Sequence, residues 1–433
     1  MRFVSTRGQA PAVSFGHALT QGLAPDGGLY IPEAWPSIPV AAFTGVSSLP
    51  DIAAVMMKPF VEGDAIGGEI GPIVRDAFDF PAPLMPVADG GKLSVLELFH
   101  GPTAAFKDFG ARFLAASMQR LRPAGERPLN ILVATSGDTG GAVAAAFHRR
   151  PGVVVSVLFP KGLVSPTQEH QLTCWGDNVR SYRVNGTFDD CQRLVKEAFV
   201  DPALKKKFDL SSANSINLGR LLPQAVYYAA TSLNVFRTHG IKPNFVIPSG
   251  NLGNSVACAW ARKIGLPIGR IVLAHNANRT VPDFIKSGEW QPRASIPTLA
   301  SAMDVGAPSN MERLRALFPD LESMRGAVRA ESVSDEQIRA RIANDYRQFG
   351  KIWCPHTATA AEVHARMSQT ERADGRWILV STAHPAKFRE IVEPLIGERI
   401  AMPESLAKLF ERPVSCANLE PELRALSGTL QNS

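Results

Sequence analysis

Apolar residues fall into short uninterrupted runs along most of the chain, and these alternate with stretches in which apolar positions recur at helical spacing. Leu93–Phe99, Asn130–Ala134, Val153–Phe159, Val179–Val184, Asn244–Pro248, Arg270–His275 and Arg376–Val380 predict strands. Helical spacing predicts helices through Phe109, Phe113, Leu114 and Met118, then over Ala142–Phe147, Ser165–Trp175, Phe188–Phe199, Leu221–Phe236, Val256–Ile264 and Ser334–Phe349. Further helices are predicted from Met311 and after Cys354. Strand followed by helix, repeated, predicts an α/β architecture with parallel sheets. The first ninety or so residues break this rhythm. They are rich in Gly and Pro, as in Gly22–Pro32, with one helical pattern near Leu49–Phe60, and predict a capping or dimer-forming lobe that ends near Pro81, Pro83 and Pro86.

Composition changes this picture little. A chain of 433 residues is long enough for two or three lobes, and 45% hydrophobic with 20% charged residues is ordinary globular material. The five cysteines are scattered without a CxxC pair, so neither a disulfide framework nor a zinc knuckle is expected. The N-terminal residues lack the apolar run of a signal peptide, and no apolar stretch is long enough to cross a bilayer; a cytoplasmic protein is expected, without a membrane. The net charge of +6 is modest, and Lys205-Lys206-Lys207 reads as a solvated turn, so no nucleic-acid partner is expected. His356 and His384 have no third ligand at a recognisable spacing, and no metal is expected.

Candidate chemistry collects where strands end. His100–Gly110 joins a strand to a helix through a Gly-Pro turn, small residues and one lysine, Lys107. A random lysine at a helix start is a surface residue, but among small apolar neighbours its amine is poorly hydrated, which favours the neutral, nucleophilic form a Schiff base needs. Thr135–Gly141 and Ser249–Ser255 both place a glycine-rich hydroxyl loop between a strand and a helix N-terminus, which makes an anion site. The second loop, GNLGN, is not the dinucleotide fingerprint and suits a single phosphate. Ser211–Arg220 is more polar than a helix cap requires and ends on an arginine, so it is a third candidate for binding an anion. Ser381-Thr382 closes the last strand, where a hydroxyl faces a ligand crevice.

Taken together, the runs SFGHALTQGLAPDGGLYIP, LELFHGPTAAFKDFGARF, ATSGDTGGA, FDDCQ, SINLGRLLPQAVYY, IPSGNLGN, MDVGAPSN, PHTATA and STAHPAKF resemble the threonine synthase family in its order from Ser14 to Phe388. More narrowly, the resemblance is to the group with the yeast and enterobacterial enzymes. It implies a fold-type II pyridoxal 5'-phosphate enzyme, α/β with parallel sheets like the tryptophan synthase β subunit, plus an N-terminal lobe. The expected division is 1–85 for that lobe, 86–127 with 214–433 for a large cofactor-binding domain, and 128–213 for a small mobile domain. The implied reaction converts O-phospho-L-homoserine and water to L-threonine and phosphate, by γ-elimination followed by addition of water at Cβ. The resemblance makes Lys107 the Schiff-base lysine and proton shuttle, with Phe106 shaping the slot for the ring. Gly250, Asn251, Leu252, Gly253 and Asn254 would hold the cofactor phosphate, and Thr382 would meet the pyridine nitrogen. The substrate carboxylate is assigned to Ser136, Gly137, Asp138 and Thr139, and its phosphate to Asn214, Ser215, Asn217 and Arg220. A monomer or homodimer is expected.

Three positions depart from the family pattern. Ile247-Pro248-Ser249 stands where many relatives carry Val-Pro-Thr, Leu218-Gly219 where Trp-Ala is expected, and Cys354 where Asp is common. A phospho-lyase that stops short of hydration is the competing reading; phosphate release without threonine would mark it. A dehydratase or cysteine-synthase relative is disfavoured because its serine-loop signatures are missing, and a non-catalytic module because Lys107 is present.

Overall fold

The apolar runs do become strands, and they assemble into two separate sheets. The computed structural model describes residues 1–87, 91–122 and 125–431. The N-terminal lobe pairs β1 (Phe3–Ser5) with β2 (Tyr30–Pro32) and adds helices α1 (Phe15–Gln21), α2 (Leu49–Val61) and α3 (Ile70–Ala77). Next come β3 (Leu84–Pro86), β4 (Leu93–Glu97) and α4 (Lys107–Leu121). The small lobe contributes β5 (Leu129–Ala134), α5 (Asp138–Phe147), β6 (Val153–Pro160), α6 (Pro166–Thr173), β7 (Val179–Val184), α7 (Phe188–Val200), α8 (Pro202–Lys207) and β8 (Asp209–Ser212). The chain returns to the large lobe with α9 (Leu218–Leu221), α10 (Ala225–His239), β9 (Asn244–Pro248), α11 (Gly253–Lys263), β10 (Ile271–His275), β11 (Val328–Ser332) and β12 (Trp377–Ser381). It ends on the small lobe with β13 (Ala417–Leu419).

The large sheet has the order β11-β10-β9-β12-β4-β3, parallel except for β3 against β4. The small sheet, β13-β7-β6-β5-β8, is parallel throughout. Two strands depart from the expected division at residues 85 and 213. β3 hydrogen-bonds along the edge of the large sheet, so the N-terminal lobe stops before Leu84. β13 pairs with β7, which straps the C-terminal segment across the small lobe. Both are three-residue edge strands, too short for the pattern of apolar positions to mark. The lysine run, expected to be a turn, is instead the last turn of α8; it is exposed, and Asp201 caps that helix.

The polar termini of the strands are what position a site. In a parallel sheet every strand ends on the same side, so β4, β9 and β12 deliver Lys107, the Ser249 loop and Thr382 to a single edge. Behind them, the Phe109 ring is fully buried, with centroids 4.4 Å from Phe80, 5.8 Å from Phe78 and 5.3 Å from Tyr227. It therefore joins the N-terminal lobe to the helix that carries Lys107. Phe109→Ala is expected to destabilise the chain by about 3–5 kcal/mol, read as a lowered urea midpoint, because the cavity it leaves is walled by several rings.

Candidate active site

Lys107 sits at the first position of α4, reached through a turn whose geometry is heavily constrained. Asp108, buried, accepts from the Thr103 amide at 2.8 Å and from its hydroxyl at 2.6 Å. Ala104 takes the left-handed conformation at φ 51°, a strain of the kind stored at functional turns. The segment then pairs antiparallel with the end of β12: Phe106 N donates to the Thr382 carbonyl at 2.9 Å, and His384 N to that of Ala104 at 3.1 Å. Lys107 and Thr382 are thereby fixed relative to each other. The half-buried Lys107 amine has no hydrogen-bond or carboxylate partner among the described residues, and its nearest ring is Phe106, 5.9 Å from Nζ to the centroid. Burial, opposed by Asp138 and aided by the charges of Arg220 and Lys387, lowers its pKa to about 8. A lone lysine held near neutrality is suited to Schiff-base chemistry. Thr382 is buried as a residue, and its hydroxyl has no hydrogen-bond partner among the described residues.

The Ser249 loop presents a row of free amides at a helix start. The amides of Gly250, Asn251, Leu252, Gly253 and Asn254 have no hydrogen-bond partner among the described residues, and α11 begins at Gly253. Leu252 holds a left-handed φ of 63° that turns these amides inward. A Cβ at Gly250 would come 2.6 Å from the Met303 Cα, so only glycine closes the turn. The side chains of the two asparagines do other work. Asn251 donates to Ser215 Oγ at 2.6 Å and accepts from Ser309 N at 2.6 Å. Asn254 Oδ1 accepts from the Tyr227 and Tyr228 hydroxyls, while its buried Nδ2 is unpartnered. Five free amides on a helix start, with an unsatisfied amide group beside them, fit a dianionic phosphate. Gly250→Ala is expected to weaken pyridoxal phosphate about 10- to 100-fold in an absorbance titration, since the loop must move off its amide geometry.

At the small lobe's loop, Thr135 Oγ1 accepts from the amides of Gly137 and Gly140 at 3.0 and 2.8 Å. Gly137 has φ 136°, and a Cβ there would meet the Gln168 side chain at 2.5 Å. The hydroxyls of Ser136 and Thr139 are partly exposed and have no hydrogen-bond partner among the described residues. Asp138 differs from them. Its buried carboxylate is held by Lys387 and Gln168, so any contact with substrate from this residue would come from its amide.

The Ser211–Arg220 run divides into free and committed groups. Arg220 is buried, packed so closely under α4 that a Cβ at Gly110 would lie 2.4 Å from its carbonyl. Its Nη1 donates to the Ala213 carbonyl at 2.5 Å, whereas its Nε is buried without a partner, as is Asn214 Oδ1. Burial lowers its pKa to about 10, with Asp108 opposing, so it stays charged. Asn217, expected among the phosphate ligands, has nothing left to offer. Its Oδ1 caps α9 through the Gly219 amide at 2.9 Å, and its Nδ2 donates to the Leu19 and Ser212 carbonyls. Ser215 Oγ is taken by Asn251, which makes it a strut between the two anion loops.

Several residues of this scaffold were not anticipated. The fully buried Arg313 donates to the carbonyls of Tyr30, Ser215 and Ile216 and to Asn310 Oδ1, tying the N-terminal lobe to the Ser215 strut. Asn310 Nδ2 also holds the Asn251 carbonyl at 3.0 Å. Only their place in MDVGAPSN and just beyond it hinted at this. The departures from the family pattern also have physical reasons. Cys354 Sγ caps the helix Pro355–Ala365, and its partner Thr357 bonds Ser381 Oγ at 2.9 Å, so this position is a cap beside the end of β12. Gly219 lies where a Cβ would touch Leu19 and Leu114 at 2.7 and 2.8 Å. No group of metal-ligating side chains occurs among the described residues.

A lysine after one strand, a hydroxyl at the end of its neighbour and a loop of free amides after the third are the arrangement of a pyridoxal-phosphate-dependent enzyme of fold type II. The family described as pyridoxal-phosphate dependent enzyme matches residues 81–383, threonine synthase N terminus matches residues 2–78, and threonine synthase, C-terminal, matches residues 357–428. Threonine synthase of Escherichia coli is 38% identical over 436 residues, covering 100% of both chains, and that of Haemophilus influenzae is 38% identical over 430 residues, covering 97% of each. The crystal structure of the Escherichia coli enzyme superposes with a TM-score of 0.90 at 36% identity over all of both chains. A PLP-bound threonine synthase from Brucella melitensis gives 0.90 at 33%, over 100% of this chain and 99% of that one. The chain belongs to the threonine synthase family: a lyase with pyridoxal phosphate as cofactor.

Proposed function

We propose that this site makes L-threonine and phosphate from O-phospho-L-homoserine and water, with roles divided among the two anion loops, Arg220 and Lys107. The observation that carries this reading is the flanking of one partnerless, half-buried amine by two helix-start loops and a buried arginine with a free Nε. Such a set suits a ligand with a carboxylate, an amino group and a terminal phosphate, bound beside a cofactor with a phosphate of its own.

When bound, pyridoxal phosphate supplies the electron sink that lets phosphate depart from Cγ and water add at Cβ. The amides of residues 250–254 hold its phosphate. The Thr382 hydroxyl would meet the pyridine nitrogen, as a neutral partner that leaves that nitrogen largely unprotonated. Ser136, Thr139 and the amides at the start of α5 take the substrate carboxylate. Arg220 and Asn214 face the substrate phosphate, with the guanidinium as the donor and the Asn214 amide as the adaptable partner. Lys107 would hold the cofactor and move protons at the substrate carbons, and a pKa of about 8 populates both forms of its amine near neutral pH. The small lobe closes over the site to exclude water until hydration, carrying the β13 strap with it.

The protein works in the cytoplasm as a monomer or homodimer, without a nucleic-acid partner; no helix of the described residues is long and apolar enough to cross a membrane. Purified protein loaded with pyridoxal phosphate is expected to release phosphate and L-threonine in equal amounts from O-phospho-L-homoserine. Phosphate without threonine would overturn the hydration step and make the site a phospho-lyase.

A further inference from the structure

Asp138 puts a buried carboxylate at the start of α5, in the loop that is meant to receive a carboxylate. Uncompensated, it would repel the substrate. The charge that answers it comes from the other lobe: Lys387 Nζ lies 2.7 Å from Asp138 Oδ1, and Lys387 is fully buried. The same ammonium donates to the Thr103 carbonyl at 2.9 Å, which also receives Gln171 Nε2 of α6 at 3.1 Å. Thr103 is the residue that Asp108 clamps in the turn before Lys107. Gln168 Nε2 donates to Asp138 Oδ1 at 3.1 Å, and Ser165 Oγ to the Lys387 carbonyl at 3.2 Å. One ammonium therefore bridges the small lobe's loop and the lysine-bearing turn.

We infer that Lys387 is a positioning residue for the reaction: it neutralises Asp138, locks the Ser136–Thr139 loop onto the Lys107 turn, and balances the charge felt by the Lys107 nitrogen. This rests on Lys107 being the cofactor lysine. The charged groups facing that nitrogen are Asp138 of α5, Arg220 of α9 and Lys387. His356, from the helix Pro355–Ala365, faces Asp138 and stays neutral, since burial lowers its pKa to about 4. Asp108 lies behind Thr103, and the Cys354 thiol is held protonated by burial. Removing either member of the buried pair leaves the other charge uncompensated next to Lys107.

The test uses holoenzyme and three variants, Lys387→Met, Asp138→Asn and the double variant. The readouts are the pH midpoint of the bound cofactor's visible absorption and the KM and kcat for O-phospho-L-homoserine. Lys387→Met leaves Asp138 unpaired, which favours the protonated nitrogen, so the midpoint is expected to rise by about one pH unit. Asp138→Asn leaves Lys387 unpaired, and the midpoint is expected to fall by about as much. The double variant returns towards the unmodified midpoint, and KM rises at least about tenfold in Lys387→Met, as a loosened loop requires. Shifts of the same sign, or none, would overturn the proposal, because a packing role cannot move the midpoint in opposite directions. Should Lys387→Met not fold, Asp138→Asn and Lys387→Arg decide. Arginine keeps the charge and is expected to keep the midpoint, and a midpoint unmoved in Asp138→Asn would sink the idea. Failure of the Lys107 assignment shows separately, as a visible band of bound cofactor that persists in Lys107→Ala.

Discussion

Lys107→Ala is expected to remove both the visible absorption of bound pyridoxal phosphate and the release of phosphate from O-phospho-L-homoserine, with turnover down by at least about 10³-fold. Two losses coincide in this substitution. The covalent link to the cofactor needs an amine at this position, and the fully buried Lys387 is already committed to Asp138 and Thr103. The proposed proton transfer at the substrate carbons needs the same amine, whose pKa of about 8 is set first by burial, then by the opposing charge of Asp138 and by Arg220 and Lys387. The fold should survive, because Lys107 makes no hydrogen bond among the described residues and the Asp108–Thr103 clamp stays in place. A circular-dichroism spectrum and urea midpoint close to those of the unmodified protein separate lost chemistry from lost structure. Absorbance and turnover that both persisted would remove the centre of the proposed function.

What the chain disclosed in advance follows from how local each feature is. Lys107, the Gly250 loop and the Ser136 loop are each contiguous strand–loop–helix units, with glycines where the backbone must turn sharply. Their periodicity and punctuation can be read without any tertiary contact. β8, β11 and β13 were missed for the opposite reason: they are short, partly exposed strands whose existence depends on a neighbour already being in place. Asn217 shows the limit more sharply. A polar side chain in a polar run looks like a ligand, and only the position of Leu19 in the N-terminal lobe reveals that its amide is spent. Lys387 is the converse, a lysine in a Pro-Ala-Lys-Phe turn with no local sign of burial, whose partner lies in the other lobe. Charges that pair across lobes leave no spacing to read.

Arg220→Gln is expected to lower kcat/KM for O-phospho-L-homoserine by about 10²- to 10³-fold, chiefly through KM, while the cofactor's absorption spectrum stays essentially unchanged. The guanidinium is buried against α4, with one nitrogen on the Ala213 carbonyl and Nε without a partner. Unlike Arg313, whose donors are taken by carbonyls and an asparagine oxygen, this buried cation has a donor to spare, and the carboxylate acting on it, Asp108, is already spent on Thr103. A dianionic substrate phosphate supplies the missing partner through a charge-assisted bond. Glutamine keeps much of the length and one donor but no charge, so packing under Gly110 is retained while the attraction goes. The spectral result makes the assignment specific, since the free amides of residues 250–254, and not Arg220, are proposed to hold the cofactor phosphate. Inorganic phosphate as a competitive inhibitor should lose its grip in parallel with the substrate. If KM held and the cofactor were lost instead, Arg220 would belong to the cofactor's phosphate, and the substrate's would have to be sought elsewhere along the Ser136 loop.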